Sequence, residues 1–188
     1  REAKARKITL SCDLNYRKKL WTKEQARETM TKLMPFVDVC IANEEDAKDV
    51  FGIEAQGSDA EKGKIDRESY KQVAKQLKDA FGFRYVAITL RESVSASDNF
   101  WSGMLYDGAN FCFGKKYAMH IVDRVGGGDS FAGGLIYALS SGYDTQKAID
   151  LAVAASCLKH SVEGDYNMVT LSEAESLANG NGSGRVQR

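Results

Sequence analysis

The sequence is most easily bounded by what it has little of. It carries no net charge: 26 Lys and Arg balance 26 Asp and Glu. No block of like charge breaks that balance, so neither nucleic acid nor an anionic membrane surface is expected as a partner. No apolar run is long enough to cross a bilayer, and Arg1 to Lys7 is charged where a signal peptide would be apolar. The two histidines, His120 and His160, have no ligand spacing to each other or to a cysteine, which argues against a zinc site. The four cysteines, Cys12, Cys40, Cys112 and Cys157, form no CxxC pair. They read as buried free thiols of a reducing compartment, which points to a cytoplasmic protein.

What is present suffices for one core of ordinary size: 188 residues, 43% of them hydrophobic. Ile8 to Cys12 reads as a short buried strand. Thr22-Lys23-Glu24-Gln25 has the capping-box form, and Pro35, the only proline, closes the helix that follows. Val37 to Ala42 is a second strand, with Asn43 as the N-cap of a short helix that Gly52 stops. Gly57 to Arg67 reads as a polar surface excursion. Ser69 to Phe81 is an amphipathic helix with Gly82 as its C-cap, and Tyr85 to Leu90 is a third strand. From Trp101 to Val122, aromatic and β-branched residues gather around Asp107-Gly108 and predict antiparallel strands. Asp123 closes the last of them, and a helix runs to about Leu139. Another opens at Thr145 with Leu151, Ala155, Leu158 and Val162 on one face. A last short helix is capped by Ser172, and a polar tail follows from about residue 178. Strands alternating with helices predict an α/β fold with a mostly parallel sheet, whose ligands bind beyond the carboxyl ends of the strands.

Three polar stretches follow strands, and each admits two readings. Asp123-Arg124-Val125-Gly126-Gly127-Gly128-Asp129 runs three glycines into an acid at a helix entrance. It lacks the Gly-Lys-Ser/Thr of a Walker loop, and Phe131 stands where a dinucleotide fingerprint needs its third glycine. It is either a tight turn with a first-turn acid, or an anion site in which backbone N–H groups take a phosphate and Asp129 takes a proton. Gly133 and Gly134 inside the next helix each cost about 1 kcal/mol relative to alanine, so another helix or a ligand must come close there. Asn43-Glu44-Glu45-Asp46 is either an ordinary helix start or a cluster that holds Mg2+ through water. Asp13-Leu14-Asn15-Tyr16-Arg17 is either a strand-end turn or the seat of an arginine clamp on a carboxylate or phosphate.

With these residues in view the chain resembles the ribokinase-like (PfkB) carbohydrate kinases, on motifs spread over almost its whole length. "DRVGGGDSFAGGLI" matches the family signature. Arg124, where the wider family has a small residue, is similar to the ketodeoxygluconate kinase branch, as are "DLNYRKKLW", "CLKHSVEGDYN" and "GSGRVQR". The resemblance implies a ribokinase-like three-layer α/β sandwich, of which residues 1–188 are the carboxyl-terminal part of a single kinase domain, without the family's front portion and β-lid. It implies a carbohydrate kinase that uses ATP and Mg2+ on a small sugar acid, phosphorylating the 6-hydroxyl of 2-keto-3-deoxygluconate. Asp129 matches the catalytic base, and Gly126, Gly127 and Gly128 the anion hole. Asn15, Arg17 and Asp165 match positions at the substrate. Asn43, Thr89, Arg91 and Ser93, with Gly126 and Gly128, match positions at ATP, although Arg91 replaces the usual glycine. Asp46 stands for the glutamate of the metal motif, acting through water. The complete protein would have room to form a homo-oligomer. Other readings are a related kinase acting on fructose or a nucleoside, or a nucleotide-binding module without turnover.

Overall fold

A computed structural model describes residues 1–54 and 66–180. The surface excursion expected at 57–67 lies outside the described residues up to 65, and the polar tail lies outside them beyond Gly180. The chain falls into two compact units. One holds Arg1–Leu90 and Met104–Phe111; the other holds Arg91–Gly103 and the described residues from Cys112 on.

The first unit opens with a one-turn helix α1 (Glu2–Ala5), then β1 (Ser11–Asp13), α2 (Lys23–Leu33), a 3-10 turn at Met34–Phe36, and β2 (Val39–Ala42). Next come α3 (Glu44–Asp46), a π-helical turn at Ala47–Phe51, α4 (Arg67–Phe81), and β3 (Tyr85–Ser93), whose end passes into the second unit. β1 pairs with β2, and β2 with β3, both parallel, with Cys12 opposite Cys40 and Cys40 opposite Val86. All four residues of β2 are buried, as expected of a strand covered on both faces. β1 differs from expectation: it starts at Ser11 rather than Ile8, and Ile8 is 52% exposed. Among the described residues it stands at the end of the strand order, with β2 as its strand neighbour. Of the cysteines only Cys40 is fully buried; all four are free.

Local signals set the helix ends. Thr22 accepts from the Gln25 N–H and Gln25 returns the bond, the capping box read from sequence. Gly52 and Gly82 end their helices with φ of 71° and 76°, the left-handed region open to glycine. Phe51, Phe81 and Phe83 pack in series as tilted ring pairs, with centroids 4.7 and 5.5 Å apart, at the end of α4.

The second unit carries the start of β4 (Asp98–Tyr106), the end of β5 (Phe111–Phe113), β6 (Tyr117–His120), α5 (Gly127–Ser140), α6 (Thr145–Lys159) and α7 (Leu171–Ala178). β4 and β6 are antiparallel, Trp101 opposite Tyr117, as the aromatic run predicts. The full strand order is β1-β2-β3-β4-β5, with β6 on β4, which makes the sheet mixed. Gly103 lets β4 meet α5 and α6 closely: a Cβ there would lie 2.9 Å from Phe131 and 3.0 Å from Val153. α5 and α6 pack side by side through Gly134, where a Cβ would lie 3.1 Å from the Ala152 Cα. Two helix readings need correction. α7 begins after Thr170, not Ser172, because Thr170 has Glu173 three residues on to complete a capping box. α6 buries Ile149, Ala152, Val153, Ser156 and Lys159 as well as Leu151, so no single face of it is the apolar one.

Candidate active site

In the second unit β6 ends at His120, so Asp123 lies in the connection to α5 and does not close a strand. That connection is tightly tied. The Asp123 carboxylate accepts from the Val125 N–H at 3.0 Å and the Gly164 N–H at 2.9 Å, and these two bonds hold it below the usual carboxylate range. Ile121 N–H donates to Ser97 O, and the Arg124 guanidinium donates to the Ala96 carbonyl, so the β3–β4 turn is fastened to the same segment.

The three glycines then have three different reasons to be glycine. Gly126 is the N-cap of α5 at φ 78°, and a Cβ there would lie 2.2 Å from the Asp165 carbonyl oxygen. Gly127 is buried, and a Cβ there would lie 2.5 Å from Cε1 of His160. Gly128 is exposed, and a Cβ there would meet nothing within 4 Å. Packing dictates the first two glycines; at Gly128 the chain keeps its backbone bare toward open space. No side chain caps α5. The Gly127 N–H donates to the Arg124 carbonyl at 3.3 Å, and the N–H groups after it lie, without a side-chain cap, at the positive end of the dipole.

The floor of the loop is the carboxyl end of α6. Ser156 Oγ–H donates to the Gly127 carbonyl at 2.7 Å, a buried bond. His160 Nδ1 lies 2.7 Å from the Ser156 carbonyl, so Nδ1 carries the proton and donates. Burial lowers the imidazole's proton affinity, Lys159, Arg124 and Arg91 push the same way, and the Ser156 bond opposes them. The ring is therefore neutral near pH 7. Lys159 is fully buried, its Nζ donating to the Val162 carbonyl at 3.0 Å, and its Cε would lie 3.3 Å from a Cβ on Gly126. A helix start without a side-chain cap suits an oxyanion.

Asp129 is the third residue of α5, exposed, with no hydrogen bond or ion pair to its carboxylate among the described residues. It lines a cleft of about 440 Å3 together with Asp165, Gly133 and Tyr137. The structure thus brings Asp129 and Asp165 to one cleft, directly after the glycine loop. The paired helix glycines divide the two explanations offered for them: Gly134 admits α6, and Gly133, with nothing within 4 Å of a Cβ, faces the cleft. Arg91 and Ser93 are exposed along β3, and the Ser93 hydroxyl bonds to the Asn99 side chain at 3.0 Å. Thr89 precedes them at the same two-residue spacing, so all three share one strand face.

In the first unit the remaining residues form one knot. Asn43 Oδ1 accepts from the Glu45 and Asp46 N–H groups at 2.8 Å each. Asp46 answers with both oxygens, accepting from the Asn43 N–H at 3.4 Å and the Tyr16 N–H at 3.1 Å. Asp46 is 4% exposed, and burial raises its proton affinity against the pull of those bonds and of Arg17. Asn15 sits at φ 40°, a left-handed turn that asparagine tolerates, with its N–H on Asp13. Arg17 is exposed and donates to the Tyr16 carbonyl. For a magnesium ion the donor set fits only in part: no group of three acidic, histidine or cysteine side chains converges among the described residues, and both Asp46 oxygens already accept backbone N–H bonds. Mg2+ commonly takes one or two carboxylates, with waters and substrate phosphates completing its shell.

Fold and junction together define an α/β protein in which a glycine loop opens a helix that no side chain caps. Comparison with known proteins narrows that class. The pattern of the pfkB family of carbohydrate kinases matches residues 1–171, and the chain belongs to that family. It is 30% identical over 176 residues to a 2-dehydro-3-deoxygalactonokinase of Haloferax volcanii, covering 94% of this chain and 49% of the relative. The crystal structure of 2-dehydro-3-deoxygluconokinase from Thermotoga maritima matches with a TM-score of 0.89 and 47% identity, over 95% of this chain and 52% of that one. A PfkB family carbohydrate kinase from Listeria grayi matches with a TM-score of 0.82 and 32% identity, over 95% and 52%. The fold is the ribokinase-like α/β sandwich with an open, mixed sheet. The chain spans about half the length of these relatives.

Ser156, Lys159, His160 and the Tyr16 N–H were not visible as site residues in the sequence. The one available signal is the placement of Ser156, Lys159 and His160 at i, i+3 and i+4, a polar stripe over the last turn of α6 and its C-cap.

Proposed function

We propose that this chain serves ATP-dependent phosphorylation of the 6-hydroxyl of 2-keto-3-deoxygluconate, the compound also called 2-dehydro-3-deoxygluconate. The observation that carries the reading is the uncapped start of α5, with Gly128 bare toward open space and Asp129 unengaged beside it. Asp129 accepts the proton of the 6-hydroxyl as its oxygen attacks the γ-phosphorus. The bond to the β-phosphate oxygen breaks, and ADP leaves. The N–H groups at Gly126–Gly128 take the charge that develops on the transferring group. Arg91, with Asn43, Thr89 and Ser93, serves the nucleotide. Asn15 and Arg17 serve the sugar acid, Arg17 through its carboxylate, and Asp165 serves it from the cleft it shares with Asp129. Mg2+, when bound, neutralises phosphate charge; Asp46 reaches it only through water.

The substrate class rests on the two relatives named for deoxy sugar acids, at 47% and 30% identity. ATP consumption by the natural protein, measured with the gluconate and galactonate epimers, fructose and a nucleoside, tests it. The gluconate epimer is expected to be turned over fastest, and Asp129→Asn to lower kcat by about 10²–10⁴-fold without shifting Tm. Full activity in that variant would remove Asp129 as the base. Turnover of fructose or a nucleoside alone would remove the sugar-acid assignment.

A further inference from the structure

The bond from Ser156 to the loop has a geometric consequence. A peptide unit is planar and trans, so fixing the direction of one carbonyl fixes the N–H on its other side, pointing the opposite way. The Gly127 carbonyl and the Gly128 N–H belong to one such unit. The carbonyl is drawn down onto Ser156 Oγ–H at 2.7 Å in a buried contact. The Gly128 N–H must then point away from Ser156; Gly128 itself is exposed, and a Cβ on it would meet nothing within 4 Å.

We propose that Ser156 is a positioning residue for the anion loop: its hydroxyl holds the Gly127–Gly128 peptide so that the Gly128 N–H is presented to the phosphate. His160 completes the clamp. Its imidazole packs beneath the Gly127 Cα, and its backbone carbonyl accepts from the Val122 and Asp123 N–H groups at 2.9 and 3.3 Å. The Nδ1–H of the same ring donates to the Ser156 carbonyl, so the two residues orient each other. Glycine is needed at 128 to leave the anion's path clear, and it leaves that peptide the freest to rotate. A hydroxyl from a neighbouring helix supplies the rigidity that a side chain at 128 would otherwise give. The inference rests on the reading of the loop as a phosphate site, and its test separates the two.

The full 188-residue chain, labelled with 15N, would be compared as wild type, Ser156→Ala and Ser156→Cys, at a temperature where all three are folded. The probe is inorganic tripolyphosphate. Ser156→Ala is expected to move the Gly128 amide cross-peak and speed its hydrogen exchange in the free protein, and to weaken tripolyphosphate by about fivefold, the worth of one misaligned hydrogen bond. Ser156→Cys keeps a weak donor and should fall between. A hydroxyl that merely packs gives the opposite order, since the larger sulfur disturbs a filled site more than alanine does. Ser140→Ala, which removes an exposed hydroxyl at the far end of α5, should change neither reading. Wild-type affinity in Ser156→Ala with an unmoved Gly128 cross-peak would overturn the proposal. If Ser156→Ala does not fold, Ser156→Cys carries both readings, and an unmoved cross-peak with unchanged affinity there counts against it equally. If the wild type itself ignores tripolyphosphate, the phosphate reading falls, while the Gly128 cross-peak still decides the role of Ser156.

Discussion

Of the junctions that lead from a strand into a helix, β2–α3 and β6–α5 treat the helix start in opposite ways. At the β2–α3 junction, Asn43 fills the first N–H groups with its own side chain, and Asp46 closes the box and ties in Tyr16. At the β6–α5 junction, Gly126 offers no side chain; the Gly127 N–H turns back to the Arg124 carbonyl at 3.3 Å, and no side chain caps the N–H groups that follow. The first arrangement contributes stability and uses up the donors. The second has glycine as its N-cap, at a cost of only a few tenths of a kcal/mol, and packing against Asp165 leaves no room for a capping side chain there.

The contrast can be broken most sharply at Gly126. Gly126→Ala forces an L-residue to φ 78° and drives its Cβ to 2.2 Å from a backbone oxygen that cannot step aside. A loss of about 2–4 kcal/mol is expected, read as a fall in the denaturation midpoint, with tripolyphosphate binding lost as well. A wild-type midpoint would mean the turn around Asp165 is slack. Next comes Asn43→Ala, expected to cost about 0.5–2 kcal/mol by urea unfolding, because two N–H groups lose their acceptor. No loss there would show that Asp46 alone suffices as a cap.

Gly128→Ala should move stability the other way. Inside α5, with no neighbour to strike, alanine is expected to stabilise by about 0.5–1 kcal/mol while weakening the anion site. Stability and tripolyphosphate affinity moving in the same direction would contradict the assignment of Gly128 to a ligand. The smallest effect concerns pH. The Asp123 carboxylate is depressed by its two N–H bonds, so its contribution is present above the ordinary aspartate pKa of about 3.9 and is lost as pH falls through the lower folded value. The Gly164 amide resonance should shift only in that acidic window. A shift near neutrality would assign the bond to another group.

How much of this was legible depends on distance along the chain. The Thr22 and Asn43 caps and the Gly52 and Gly82 stops are decided within four residues, and composition reveals them. The start of α7 was misplaced by two residues because Thr170 and Ser172 both signal a cap, and only Thr170 has its partner at the right spacing. β1 was drawn too early because Ile8 and Leu10 are apolar, while burial depends on a neighbouring strand that an apolar pattern does not count. The glycine loop could be recognised as special, but the reasons for Gly126 and Gly127 lie with Asp165 and His160. No periodicity reports a contact of that range. α6, apolar almost all round, hid the stripe that forms the loop's floor.

The bonds from Ser156 to Gly127 and from Gly164 to Asp123 bear on how the chain is made. They span 29 and 41 residues, and the later partner in each leaves the ribosome last. While α5 is emerging, the loop has neither its floor nor its strap. A nascent chain stopped before residue 156 would carry every residue of the loop without its shape. A translational pause anywhere in α6 would thus delay the appearance of phosphate affinity without delaying the helix that bears the loop.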